Sequence, residues 1–256
     1  TNNRLGIGTN IPITELNVVS TSSSDPRGFM SSQYSTDNLG ARIHLRKSRG
    51  TIGTPTSVAA NDILGRLRFS GYDGSNFLQM GTLDVGVIGT PASTKIPTYM
   101  AFSTATNATP SVLTEALRIS EAQFVGIGTI TPSSKLDITT NSLGVTQSNT
   151  SGLSLVNTTA AAAGAQQISP ALRLQGQGWK TTATAGSQPV DFRAHVLPVE
   201  GSSAPSGNMV FSSSINGGAY SDIMRLSSAG VLALPLGSLS LFASGSGMTY
   251  YGAGIF

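Results

Sequence analysis

The acidic residues are the first place to look for chemistry in this chain, because a pair of carboxylates can hydrolyse a glycosidic bond. Asp73 and Asp84 flank a predicted strand, and a glycosidase pair on neighbouring strands needs carboxyl groups about 5 to 9.5 Å apart. Asp73, however, precedes a glycine, where an aspartate side chain typically bonds the local backbone of a turn. Asp84 is expected at an exposed strand position. Asp191 and Glu200, which lie around another predicted strand, are likewise interpreted as structural residues and not as a catalytic pair. The carboxylates therefore predict no catalytic pair.

Histidine and serine chemistry is no better supported. His44 and His195 are the only histidines, each on a predicted strand, and the chain has no cysteine. Neither histidine has the neighbouring ligands that a metal site within one chain needs. In a trimer, one histidine from each chain could converge on the axis and hold an ion, but a solvated or hydrogen-bonded histidine is far commoner. With no Gly-x-Ser-x-Gly elbow either, we predict no enzyme, no metal and no cofactor.

A basic cluster and a tryptophan are the candidate ligand-binding residues. Alternation places Arg42, His44 and Arg46 on one face of a predicted strand, where they could attract phosphorylated or acidic glycans. The alternatives are a solvated face or pairing with acidic residues of another chain. Trp179 is the only tryptophan, and it could stack on a sugar ring or fill a gap between modules or subunits. The net charge is only +3 and aromatic residues are sparse near the cluster, so no nucleic acid is expected.

The composition indicates a protein that works outside cells or in a particle. Charged residues make up 11% of the chain, against roughly 25% in average globular domains. Glycine, serine and proline interrupt every apolar run before the ~20 residues of a membrane helix, so no membrane insertion is expected. A glycine-rich motif, described below, begins as early as residue 5, which suggests a fragment or a processed chain. The uncharged segment 235–256 is expected to pack against another chain or a further domain.

A glycine-rich element that occurs twice must organise the fold. It reads Leu-Gly-Ile-Gly-Thr from residue 5 and Val-Gly-Ile-Gly-Thr from residue 125, each followed by a proline and a short apolar run. In an extended chain the apolar side chains share one face, and repeated glycine suggests a bend or a close backbone approach. The element cannot bury its own apolar residues, whereas three copies around an axis can. The residues predicted to pack at this axis are Leu5, Ile7, Leu16, Val125, Ile127 and Leu136.

The repeat extends beyond this element and predicts two modules in series. A Met-x-Phe-Ser strand at 100–103 returns at 209–212, and residues 115–120 return at 222–227. Period-2 alternation predicts further strands, including 42–46 and 66–69, while 160–167 could be a short helix or a loop. The predicted domains are a glycine-rich connector at 1–20, a first β module at 21–121, a second connector at 122–140, a second β module at 141–234, and the C-terminal segment 235–256.

Residues 5–18 and 125–138 resemble the VGIGTTxPxxKLxV element of tailed-phage tail fibres and related surface fibres. Residues 65–77, 100–104 and 115–119 resemble the module that follows this element in those proteins. The resemblance implies an all-β, elongated homotrimeric fibre with β-sandwich or β-prism-like modules joined by the two connectors. It also implies a structural protein on the virion surface, with other virion proteins as partners. Many relatives end in a self-cleaving chaperone domain, to which we find no match here.

The resemblance implies host attachment, to a host surface glycan or a protein receptor, through loops on a rigid scaffold. The candidate loops are 50–60, 73–76, 89–97, 105–112 and 201–207. Two alternatives stand beside the fibre. One is a bacterial surface adhesin or stalk built from the same modules. The other is a tailspike that degrades polysaccharide, which should show a regular period of parallel β-helix coils that this sequence lacks.

Overall fold

A computed structural model describes residues 4–21, 28–141, 143–145 and 152–235. The chain divides into two compact units, Thr1–Gln147 and Ser148–Phe256. Every regular element in the described ranges is a β-strand, so the protein is all-β as predicted. Within the same ranges, no helix is long and apolar enough to cross a membrane. The C-terminal segment predicted at 235–256 lies outside the described residues from residue 236 onward.

The first unit is built on one six-stranded sheet with two small strand pairs beside it. Its strands are β1 (Leu5–Ile7), β2 (Leu16–Val18), β3 (Arg49–Gly50), β4 (Pro55–Thr56), β5 (Ile63–Tyr72), β6 (Phe77–Val87), β7 (Thr98–Ala105), β8 (Leu113–Ile119), β9 (Val125–Ile127) and β10 (Leu136–Ile138). The sheet order is β10-β9-β8-β7-β6-β5. All neighbours in it are antiparallel except β9 and β10. Hairpin connections between consecutive strands give this meander.

The second unit is a five-stranded antiparallel meander in strict chain order. Its strands are β11 (Leu172–Lys180), β12 (Gly186–Val199), β13 (Ser206–Ile215), β14 (Ser221–Ser227) and β15 (Leu232–Ala233). The segment 160–167 forms no helix; it is a turn closed by a bridge between Ala162 and Ala165. Each unit therefore presents one main sheet, and neither forms a β-sandwich from its own described residues.

The two glycine-rich elements fold alike, as parallel strand pairs joined by a short loop. Leu5 pairs with Leu16 in the first element, and Val125 pairs with Leu136 in the second. The first glycine of each motif has no room for a side chain: a Cβ on Gly126 would lie 2.6 Å from the carbonyl oxygen of Thr129. The expected close backbone approach is thus present. The second element also joins the main sheet of the first unit, because β9 pairs with β8.

The strand predicted over residues 42–46 is wrong. These residues form no strand; instead Leu45 packs on the sheet beside Gly65, where an added Cβ would lie 2.9 Å from its Cδ1. Apolar–polar alternation reports which side chains can face a core, but a strand also needs a partner backbone. Here the apolar side chain docks on the sheet and the backbone joins no ladder.

Candidate functional site

The main sheet of the first unit carries an uninterrupted apolar face. The strand register aligns two rows of side chains across its six strands. One row contains Leu67, Leu83, Phe102, Leu117, Ile127 and Ile138; the other contains Gly65, Val85, Met100, Ile119, Val125 and Leu136. Leu45 fills the position that Gly65 leaves empty. Many of these side chains are exposed, including Leu67 at 46% and Phe102 at 41%. A sheet face of this kind requires a covering layer.

The opposite face of the same sheet is polar, and charged side chains on it form ion pairs with one another. Arg66 donates two hydrogen bonds of 2.6 Å to the carboxylate of Asp84 on the neighbouring strand. Arg118 donates two bonds to Glu115, and its guanidinium lies 3.9 Å from the ring centroid of Tyr99. Each carboxylate raises the pKa of its arginine by accepting its hydrogen bonds. Asp84 is only 9% exposed, which corrects its predicted exposed position.

The second unit repeats this division between its faces. Its apolar rows contain Leu172, Ala194, Phe211 and Met224, and Val196, Met209, Leu226 and Leu232. On the polar face, Arg173 donates a hydrogen bond of 2.6 Å to Asp191, which is 2% exposed. That bond, followed by one from Gln175, holds the pKa of Asp191 below its usual value. The prediction of an exposed Asp191 is therefore wrong as well.

The two sheets share a β-bulge at matching positions. The register shifts after Phe102 in one unit and after Phe211 in the other. Each bulge sits beside an ion pair with i, i+3 spacing, Arg118–Glu115 and Arg225–Asp222. A bulge re-aims the side chains next to it, and here it lets an arginine and a carboxylate of one strand meet on the polar face.

His195 lies on the polar face, away from the apolar rows. It is 7% exposed, and its Nδ1 is buried without a hydrogen-bond partner. Burial, with a further contribution from Arg193, lowers the pKa of His195, and Asp222 opposes the shift. His195 pairs with Val210, and Asp84 of the first unit pairs with Ala101. Because Val210 and Ala101 are the same position of the repeated Met-x-Phe-Ser strand, His195 and Asp84 are equivalent residues of the two units. An aspartate paired with an arginine in one repeat is thus replaced by a buried histidine in the other.

We expect the second unit to lose stability as the pH falls below about 6.5. The unfolded chain binds a proton on His195 before the folded chain does, so stability is full above the unfolded pKa and declines as the pH drops. Thermal melts between pH 7.5 and 5 should show a falling midpoint for the wild type and a flatter profile for His195→Gln. This window lies above the pH at which carboxylates titrate. His44→Gln, at an exposed position, is the control and should melt as the wild type does at every pH.

The residues predicted at the trimer axis are mostly exposed in the single chain. In the first element, Leu5, Ile7 and Leu16 are 60%, 54% and 56% exposed. In the second, Ile127 and Leu136 are 40% and 54% exposed, and Val125 is half-buried. The residues of the second element form the last positions of the apolar rows. The larger part of the apolar surface therefore lies on the sheet, where the sequence identified Met100 and Phe102 as part of a repeated strand but did not predict that they pack against other chains.

The predicted ligand-binding residues are divided between the two units. Arg42, His44 and Arg46 are exposed residues of the first unit, outside any strand. Arg42 lines a shallow hollow with residues 31–33, whereas His44 lines a different one beside Leu64 and the apolar rows. Trp179 belongs to β11 in the second unit and is 69% exposed. The basic cluster is therefore not a single strand face.

The acidic residues weighed for catalysis are engaged in structural contacts. Asp73 accepts hydrogen bonds of 2.7 Å from the backbone N–H groups of Ser75 and Asn76, as expected for a turn. Glu200 accepts a bond from the backbone of Gly164. Among the described residues, no three His, Cys, Asp or Glu side chains are grouped as metal ligands would be.

Comparison with known proteins gives a weak structural similarity. No protein-family model and no curated protein matches the chain. It is similar to the carboxy-terminal domain of the bacteriophage T5 L-shaped tail fibre, with a TM-score of 0.35 and 10% identity over 89% of this chain and 98% of that one. The same domain with its intra-molecular chaperone domain gives a TM-score of 0.36 and 11% identity, over 89% and 69% of the two chains.

Proposed function

We propose that this chain is a structural segment of a homotrimeric tail fibre on the surface of a bacteriophage virion, and that it serves host attachment. The observation that carries the proposal is the pair of uncovered apolar sheet faces. On these faces Leu67 is 46% exposed, Phe102 is 41% exposed and Met209 is 40% exposed. An apolar sheet face of this kind must be buried against another layer.

A trimer supplies the missing layer. Three sheets whose apolar faces point inward enclose a core that no single sheet can form, and this is the β-prism arrangement that the sequence resemblance implies. The glycine-rich elements fit the same assembly, since both leave a row of aliphatic side chains exposed. Full transfer of an apolar side chain from water into such a core contributes about 1.5–3 kcal/mol, and a side chain such as Leu67, 46% exposed in the single chain, gains roughly half of that. Summed over rows in three chains, this gain is large compared with the marginal stability of a folded domain.

The polar faces support a structural role and not a catalytic one. A catalytic carboxylate must be free to reach substrate, whereas Asp84, Asp191 and Glu115 are each held by an arginine. A tailspike would place acidic residues in a groove of stacked coils, and the described sheets are meanders. A bacterial adhesin or stalk remains the second candidate, because the same uncovered apolar faces would serve its assembly.

The oligomeric mass and the location of the protein test this proposal. Light scattering on the purified chain should give three times its 26.2 kDa mass, and an antibody against it should label phage tails in electron micrographs. A well-behaved single-chain mass would contradict the trimer. Labelling of bacterial surfaces in a phage-free culture would favour the adhesin.

A further inference from the structure

Both units extend a two-stranded arm beyond the rest of their sheet. In the first unit the last pair between β6 and β7 is Gly81 with Thr104, so residues 70–79 pair only with one another. In the second unit the last pair between β12 and β13 is Val190 with Ile215, which leaves residues 178–188 as a similar arm. We call these segments the first arm and the second arm.

The tips of both arms carry exposed aromatic side chains. Tyr72 and Phe77 face each other across the first arm, with ring centroids 5.2 Å apart, and are 60% and 77% exposed. Trp179 occupies the corresponding end of the second arm and is 69% exposed. Large exposed aromatic side chains of this kind are typical of binding surfaces.

These aromatic residues lie on the polar faces of their sheets. Along β5, Tyr72 alternates in step with Arg66 and Arg68. A register shift after Phe69 then brings Phe77 onto the same face, although uninterrupted alternation along β6 would place it with Leu83. Trp179 follows Arg173 and Gln175 on the polar face of β11 without any shift. The apolar core of the proposed trimer therefore does not account for these three side chains.

The neighbours of the aromatic residues are almost all uncharged hydrogen-bonding groups. Besides these rings, the arms consist mainly of Ser, Thr, Gly, Gln and Asn. The one charge of the first arm, Asp73, accepts bonds from its own turn, and Lys180 of the second arm reaches Thr184. Rigid aromatic residues among small polar ones give adaptable binding surfaces. Each arm has one nearby cation that no carboxylate pairs with among the described residues, Lys180 beside Trp179 and the exposed Arg68 on the face of Tyr72. An anionic ligand would instead call for a cluster of arginines or lysines, and a protein partner for a wider apolar patch.

We infer that the two arms are binding sites for an uncharged polysaccharide. The inference rests on the proposed function, for which it names the class of receptor. The aromatic rings would stack on the C–H faces of pyranose rings, while the amides and hydroxyls of the arms exchange hydrogen bonds with sugar hydroxyls. The presence of one arm in each unit lets a single long polymer engage several weak sites, which raises the overall affinity.

The test uses the trimer and a panel of purified bacterial surface polysaccharides, neutral and acidic. Because Trp179 is the only tryptophan, its emission reports directly on the second arm. At least one neutral polymer should shift this emission and bind in calorimetry. The double variant Tyr72→Ala/Phe77→Ala and the single variant Trp179→Ala should each weaken that binding at least tenfold. Tyr34→Ala removes a tyrosine that is 96% exposed outside both arms, and it should bind as the wild type does.

Three outcomes would overturn the inference: no neutral polymer binds, only acidic polymers bind, or both arm variants bind like the wild type. The mass of each sample separates this failure from that of the proposed function. A trimer that labels phage tails but ignores neutral polysaccharides would leave the fibre standing and remove the role of the arms. A single-chain mass would remove the fibre proposal itself.

Discussion

Replacing Phe102 by aspartate is expected to convert the trimer into single chains. Phe102 lies in the middle of an apolar row, between Leu83 and Leu117, and it is 41% exposed when the chain is alone. A carboxylate at this position is tolerated in water, but enclosing one costs several kcal/mol. The trimer would enclose three, and it would also lose the burial of the exposed part of each Phe102 ring, about 0.6–1.2 kcal/mol for each chain.

Light scattering measures this outcome directly, and far-UV circular dichroism shows whether the sheets persist. Phe211→Asp is the equivalent change in the second unit and should have the same effect. Ser70→Asp adds the same charge at an exposed position on the polar face of β5 and should leave the trimer intact. If Phe102→Asp keeps the mass of three chains, the apolar face of the first unit is not an interface.

The apolar faces were only partly predictable from the sequence. Alternation along each strand correctly indicates that Phe102 or Phe211 faces one side, and the repeated glycine-rich elements indicate exposed aliphatic residues. Alternation does not give the register between strands, and only the register shows that six strands contribute to continuous rows. The prediction therefore concentrated on Ile127 and its neighbours, which are the end of a much larger surface.

Asp84 and Phe77 show why the polar faces were harder to predict. Asp84 was expected to be exposed because aspartate usually is, but its partner Arg66 is on another strand and covers it. Phe77 was unremarkable in the sequence because nothing there announces the extra residue in β6 that moves it to the polar face. A contact between two strands buries Asp84, and a β-bulge turns Phe77 to the other face. Neither feature can be read from a single sequence.

Substituting Gly128 by alanine is expected to destabilise the first unit by roughly 2–4 kcal/mol. Its φ of +71° is one that side chains disfavour, and an added Cβ would lie 2.3 Å from the carbonyl oxygen of Thr139. The backbone N–H of Gly128 also donates a bond of 3.2 Å to Ala116, the bulged residue of β8. Any shift that relieves the clash must therefore pull β9 away from β8 or from β10.

Gly89→Ala is a matched control that separates the clash from the backbone conformation. Gly89 has nearly the same φ, +74°, but an added Cβ meets nothing within 4 Å, so only the conformational cost of about 1–2 kcal/mol applies. Hydrogen exchange read by mass spectrometry should show lost protection over residues 125–139 in Gly128→Ala and unchanged protection there in Gly89→Ala. Equal effects from the two variants would mean that the backbone at residue 139 moves aside without cost. The glycine-rich element would then be a flexible joint and not a fixed strand pair at the edge of the sheet.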